Sequence, residues 1–176
     1  MFKKTKTILT FATFLSSTGI SLASGSSYMG GSIGVGGLGY TSIGKRISVS
    51  GLNGGIFGGY GATYGIDQKW YLGGELNANI AGGGSTINYG LGASLMPGMM
   101  ITKSTLLYTR VGMEAAYYPQ THTSTGNTGK LLKFGPVAGL GVQTELTKKV
   151  SLRAEYDPIT VRNSGVLNLG LVYKFI

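Results

Sequence analysis

Every charged residue within a predicted strand of this chain falls on the face opposite the apolar one, and few folds impose that rule. Alternating segments separated by turn residues predict strands near 28–40, 51–64, 70–80, 88–101, 105–118, 131–144, 150–158 and 166–176. Choosing each strand's phase by its apolar residues alone puts Leu72, Leu76 and Ile80 on one face of the third strand and Leu107, Val111 and Met113 on one face of the fifth. The same choice selects Leu132, Phe134, Leu140 and Val142 in the sixth, and Val150, Leu152 and Tyr156 in the seventh. The opposite faces then carry Glu75, Arg110, Glu114, Lys133, Arg153, Glu155, Asp157 and Lys174. An Arg or Lys on a lipid-facing strand at the bilayer midplane costs roughly 2–4 kcal/mol. Lipid on one side therefore explains the exclusion.

The stretch Val166 to Ile176 repeats the pattern in its cleanest form. Leu167, Leu169, Leu171, Tyr173 and Phe175 alternate with Asn168, Gly170 and Lys174. A terminal strand of this kind predicts a sheet closed on itself. No segment shows the 3.6-residue apolar period of an amphipathic helix. The expected fold class is all-β: an eight-stranded antiparallel transmembrane up-and-down barrel, preceded by a cleaved signal peptide.

That leader is read at 1–23, leaving 24–176 as the barrel domain. Lys3, Lys4 and Lys6 precede a short, mostly apolar run from Ile8 to Leu15, and Ser21-Leu22-Ala23 supplies small residues at a cleavage site. Losing its three lysines lowers the formal charge from +9 to +6. The remaining surplus is dispersed, which argues against nucleic acid. With 32 glycines the chain suits neither helices nor an ordinary soluble core. Its 42 % hydrophobic content nonetheless excludes a disordered linker. Zero cysteines exclude disulfides and thiolate metal sites, so stability has to come from the closed sheet.

Connection lengths alternate. Short turns are expected around 65–69, 102–104 and 145–149, and longer loops around 41–50, 81–87, 119–130 and 159–165. Barrels of the outer membrane place short turns in the periplasm and long loops outside. The inward charges comprise four acids and four bases. In so narrow a barrel they are expected to pair as a plug centred on Glu75, Arg110, Glu114, Arg153 and Glu155, since wide aqueous channels belong to larger barrels. Lining a small diffusion pore is the alternative. Gly30, Gly34, Gly36, Gly90, Gly92 and Gly98 are expected to face inward and make room for the long charged side chains. Aromatic girdles are expected from Tyr64, Trp70, Tyr71, Tyr173 and Phe175 at the short turns, and from Tyr40, Tyr89, Tyr117 and Phe134 at the loops. Pro97 and Pro136 lack the ladder donor, so a bulge or local break is expected at each.

Three stretches carry a family likeness: Tyr60-Gly61-Ala62-Thr63-Tyr64; Leu95-Met96-Pro97-Gly98 followed by Leu106 to Gly112; and Leu169 to Phe175. In their order and spacing the chain resembles the small eight-stranded outer-membrane β-barrel family, the OmpA-like and opacity-type porin proteins. The resemblance implies insertion by the barrel assembly machinery, which reads the last strand. It implies no peptidoglycan-binding domain here.

Chemistry is sparse. His122 and Ser124 match the spacing of an outer-membrane lipid A deacylase pair, but they lie in a loop rich in Thr, Ser, Asn and Gly. No carboxylate falls between His122 and Glu145 to orient the histidine. A solvated loop histidine is the better reading. Gly82-Gly83-Gly84 lacks the Lys-Ser/Thr of a phosphate loop. No cofactor is expected. Lys45, Arg46, Lys130 and Arg162 map to the outer loops, where they are candidate contacts for lipopolysaccharide phosphates. Lys69, Lys103, Lys148 and Lys149 at the short turns are expected simply to sit in water. The expected protein is a monomeric, non-enzymatic barrel of the Gram-negative outer membrane. It would surround itself with lipid and lipopolysaccharide and meet an unidentified extracellular ligand through its loops.

Overall fold

A computed structural model describes residues 24–41, 46–48, 51–83, 86–119, 130–160 and 165–175. They form strands β1 (Ser24–Thr41), β2 (Arg46–Ser48), β3 (Gly51–Tyr64), β4 (Trp70–Gly83), β5 (Thr86–Met100), β6 (Thr105–Pro119), β7 (Lys130–Glu145), β8 (Val150–Ile159) and β9 (Gly165–Phe175). Each long strand pairs antiparallel with the next, and β9 pairs back onto β1, so the sheet closes. The short β2 continues the register in which β3 pairs with β1, extending the same hairpin past Gly36↔Gly51 to Gly39↔Ser48. The barrel is therefore eight-stranded in substance, as its alternation predicts.

Closure is staggered. A walk across the ladder from Ser24 passes Thr63, Tyr71, Gly98, Tyr108, Gly141, Glu155 and Asn168 and returns to β1 at Gly34. The ends of that walk lie ten residues apart on one strand (24 to 34). Such a stagger tilts the strands and sets how wide the lumen is. From Thr63 to Gly34 the walk keeps to the inward-facing set, so the lumen is lined by one continuous phase of the sequence.

The outer wall is aliphatic and aromatic. Ile33, Leu52, Ile56, Leu76, Leu91, Val111, Leu140, Leu169 and Leu171 all project into the surroundings. In water this wall would be a severe aggregation liability; against hydrocarbon it needs no cover.

Of the two prolines expected to break the ladder only Pro97 does so, and neither shifts the phase. At Pro97 the β5–β6 pairing skips from Leu95↔Val111 to Gly98↔Tyr108 in unchanged register, and the Thr109 hydroxyl donates to the Pro97 carbonyl at 3.3 Å. At Pro136 the pairing with β6 is continuous, but β8 reaches only to Ala138. Pro136 thus occupies a stretch with one described neighbour, where its missing N–H is tolerated. The register shift itself lies between Ala138 and Leu140, opposite Tyr156–Ile159, which contains Pro158. Pro158 and Ile159 are both exposed, the mark of an extra residue in β8.

Three expectations change. The connection expected over 81–87 is mostly strand: Gly83 pairs with Thr86, leaving only 84 and 85 between them. Tyr71 leaves the girdle and turns inward against Met96, Leu106 and Tyr108. The inward glycines mostly make room for rings and amides rather than charges. A Cβ on Gly59 would meet the Tyr28 ring, on Gly98 or Gly141 Tyr108, and on Gly92 Asn77, whereas one on Gly139 would abut a carboxylate, that of Asp157.

Candidate functional site

The lumen holds two arginines, each spanning several strands because long side chains from one phase converge on a narrow axis. Arg110 on β6 donates from Nη1 to Glu155 Oε1 at 2.7 Å, from Nη2 to Asn77 Oδ1 at 2.6 Å and from Nε to Ser94 Oγ at 2.9 Å. Asp157 Oδ2 lies 3.8 Å from the same guanidinium. Arg153 on β8 reaches across to β4, donating to Glu75 Oε2 at 2.5 Å, and bonds Gln143 Oε1 on β7 at 3.1 and 3.0 Å. Phe57, Tyr28 and Tyr108 surround its guanidinium, with ring centroids 4.4, 5.4 and 5.5 Å away. Tyr28 donates to Glu75 Oε2 at 3.1 Å, and Tyr108 donates to Glu155 Oε2 at 2.6 Å. Charge-assisted and forked bonds of this kind are the strong ones, and such a network holds both guanidiniums in place.

Of the eight inward charges expected from sequence, Glu75, Arg110, Glu114, Arg153, Glu155 and Asp157 are buried together. Lys133 keeps the inward phase but sits beyond the lumen, exposed, because β7 outruns β8 there. Lys174 is half-buried near the opposite end and pairs closely with Glu145. The expected balance of acids and bases therefore does not hold at depth: four carboxylates face two guanidiniums among the described residues.

Towards the loop end the lumen changes character. A cavity of about 40 Å³ is lined by Asn53, Asn77, Glu114, Asp157, Thr160 and Asn168, among others. At roughly 10–15 Å³ per water it has room for about three or four. Asn53 donates to Asn168 at 2.9 Å, while Asn77 Nδ2 and Asp157 Oδ1 have no protein partner. Buried polar atoms of that kind are commonly satisfied by ordered water.

Sequence reasoning did not select Tyr28, Tyr108, Asn77, Gln143, Ser94 or Glu145. Their signal was available, since all share the inward phase with the charges. The outer-loop cations are only partly placed. The backbones of Arg46 and Lys130 pair with Thr41 and Pro119 at the loop end of the barrel. Lys45, Arg162, His122 and Ser124 lie outside the described residues. No cluster of metal-ligating side chains occurs among the described residues.

Comparison with known proteins agrees with this architecture. The family model for the outer membrane protein β-barrel domain matches residues 8–175. No curated protein sequence matches the chain. Among solved structures it is similar to Neisserial surface protein A, with 22 % identity, a TM-score of 0.57, and 86 % of this chain and 99 % of that one covered. Similarity extends to Ail, the attachment invasion locus protein of Yersinia pestis, at 16 % identity and a TM-score of 0.55, covering 86 % of this chain and 97 % of that one. It extends also to the N-terminal β-barrel of Pseudomonas aeruginosa OprF, at 11 % identity and a TM-score of 0.52, covering 85 % and 97 %. At these identities the structures show a shared fold, and the family match covers nearly the whole chain. The chain belongs to the outer membrane protein β-barrel family.

Proposed function

We propose that the protein is a sealed, monomeric, non-enzymatic barrel that displays its loop end at the cell surface, in an adhesive or envelope-stabilising role. The carrying observation is the pair of crossed arginine braces, Arg110 to β4, β5 and β8 and Arg153 to β4 and β7, beside a cavity of only about 40 Å³. Residues 1–23 act as the export signal, and the alternation in β9 is the feature the barrel assembly machinery reads. Lys45, Arg46, Lys130 and Arg162 at the loop end hold anionic groups, those of lipopolysaccharide first. Ail has been solved in complex with the heparin analogue sucrose octasulfate, which supports an anionic ligand for a barrel of this shape.

Planar-bilayer recording tests the reading. The unmodified barrel gives no steady conductance, and the double variant Arg110→Ala/Arg153→Ala does. Steady current from the unmodified protein would favour the small diffusion pore instead. Expression followed by lipid A mass analysis tests the remaining alternative, a hydrolase using His122 and Ser124; the sealed-barrel reading expects unaltered lipid A.

A further inference from the structure

The short-turn end carries a charge imbalance that the lumen does not use. Lys69, Lys103, Lys148 and Lys149 are all exposed there, and Asp67 is the only acid within the inter-strand segments 65–69, 101–104 and 146–149. None of the four lysines has an ion-pair partner among the described residues, whereas nearby Lys174 is neutralised by Glu145. Backbone hydrogen bonds hold the turns in one fixed arc. The Lys69 carbonyl accepts from Met100 N–H at 2.7 Å, Ser104 from Glu145 at 2.9 Å, and Lys149 from Lys174 at 2.8 Å. Successive turns are two strands apart, roughly 10 Å along the rim.

Neighbouring aromatics fix the depth of this arc. Lys69 is followed directly by Trp70, whose ring is exposed on the outer wall. Lys149 is bonded to the backbone of Lys174, which lies between Tyr173 and Phe175. Those two rings are exposed on the outer wall and meet edge to face at 5.3 Å. Outward aromatic rings at strand ends sit at headgroup level. Lysine ammoniums one step further out, on flexible stems, therefore reach the phosphate layer. We infer that the short-turn rim binds anionic phospholipid headgroups of the adjoining leaflet and so fixes how deep the barrel sits.

Trp70 is the single tryptophan and reports on this rim alone. The barrel is reconstituted in phosphatidylcholine vesicles carrying an equal mole fraction of either brominated phosphatidylglycerol or brominated phosphatidylcholine. Brominated phosphatidylglycerol is expected to quench Trp70 the more strongly, corresponding to an enrichment of about fivefold at low salt. That excess should vanish in Lys69→Gln/Lys103→Gln/Lys148→Gln/Lys149→Gln, which leaves Trp70 itself intact, and should collapse in the unmodified protein as salt is raised. Equal quenching by the two lipids overturns the inference. So does an excess that survives either the substitutions or high salt. Loss of the excess on adding soluble glycerol phosphate overturns it as well, by assigning the rim to phosphate in general.

Discussion

Arg153→Met tests the lumen most severely, because its partner is left with little. The Glu75 side chain is only 1 % exposed, and without Arg153 its remaining hydrogen-bond partner among the described residues is the Tyr28 hydroxyl at 3.1 Å. Breaking a buried ion pair from one side costs about 3–5 kcal/mol. Glu75→Gln is the informative comparison. It leaves Arg153 with both bonds to Gln143 and with the faces of Phe57, Tyr28 and Tyr108. Ring–cation contacts are worth about 0.5–2 kcal/mol each when desolvated, so the arginine stays largely compensated. The loss in Glu75→Gln should then be roughly 1–3 kcal/mol. The double variant should lie well below the sum of the two, with a coupling of about 2 kcal/mol. Urea titrations of the barrel in detergent micelles, with the folded fraction read from mobility of unheated samples, give all three values. Equal losses in the two single variants, or strict additivity in the double, would refute the proposed division of labour.

Other substitutions probe other parts of the lumen. Glu155→Gln should destabilise by about 2–3 kcal/mol, because it accepts from both Arg110 and Tyr108. Asp157→Asn should cost under about 1 kcal/mol, since one of its oxygens has no protein partner and the interior already carries excess carboxylate; the same urea titration compares them. Gly141→Val should cost about 1–3 kcal/mol by driving its side chain into the Tyr108 ring, whereas Gly82→Ala, with nothing within 4 Å, should be silent in the same assay. Changing Lys45, Arg46, Lys130 and Arg162 together to Gln should weaken binding to immobilised lipopolysaccharide without altering the mobility difference between heated and unheated samples.

The barrel was legible because a lipid-facing sheet leaves a two-residue signature, and charge cannot violate it cheaply. Leu167 through Phe175 carry that signature without interruption. What escaped were features that period two does not encode. Tyr71 has the composition of a girdle residue, yet its phase turns it inward onto Met96 and Leu106. Lys133 has the inward phase, yet strand ends of unequal length leave it beyond the lumen. The shift at Pro158 depends on how β8 meets β7, a pairing between elements that no single segment reveals. The buried network was half visible: its charges were found, while the tyrosines, amides and serine that orient them were passed over because neutral residues carry no sign to sort by.

The seam between β1 and β9 joins Ser27 to Phe175 and Val35 to Leu167. No hairpin can form that contact early, since nearly the whole polypeptide must be present before the two rows of open amides can meet. Long-range pairing of this kind is slow and leaves unfinished edges open to stray strands. Until that last zipper shuts, the molecule is a curled sheet with two sticky margins, and its safe delivery depends on whatever holds those margins apart.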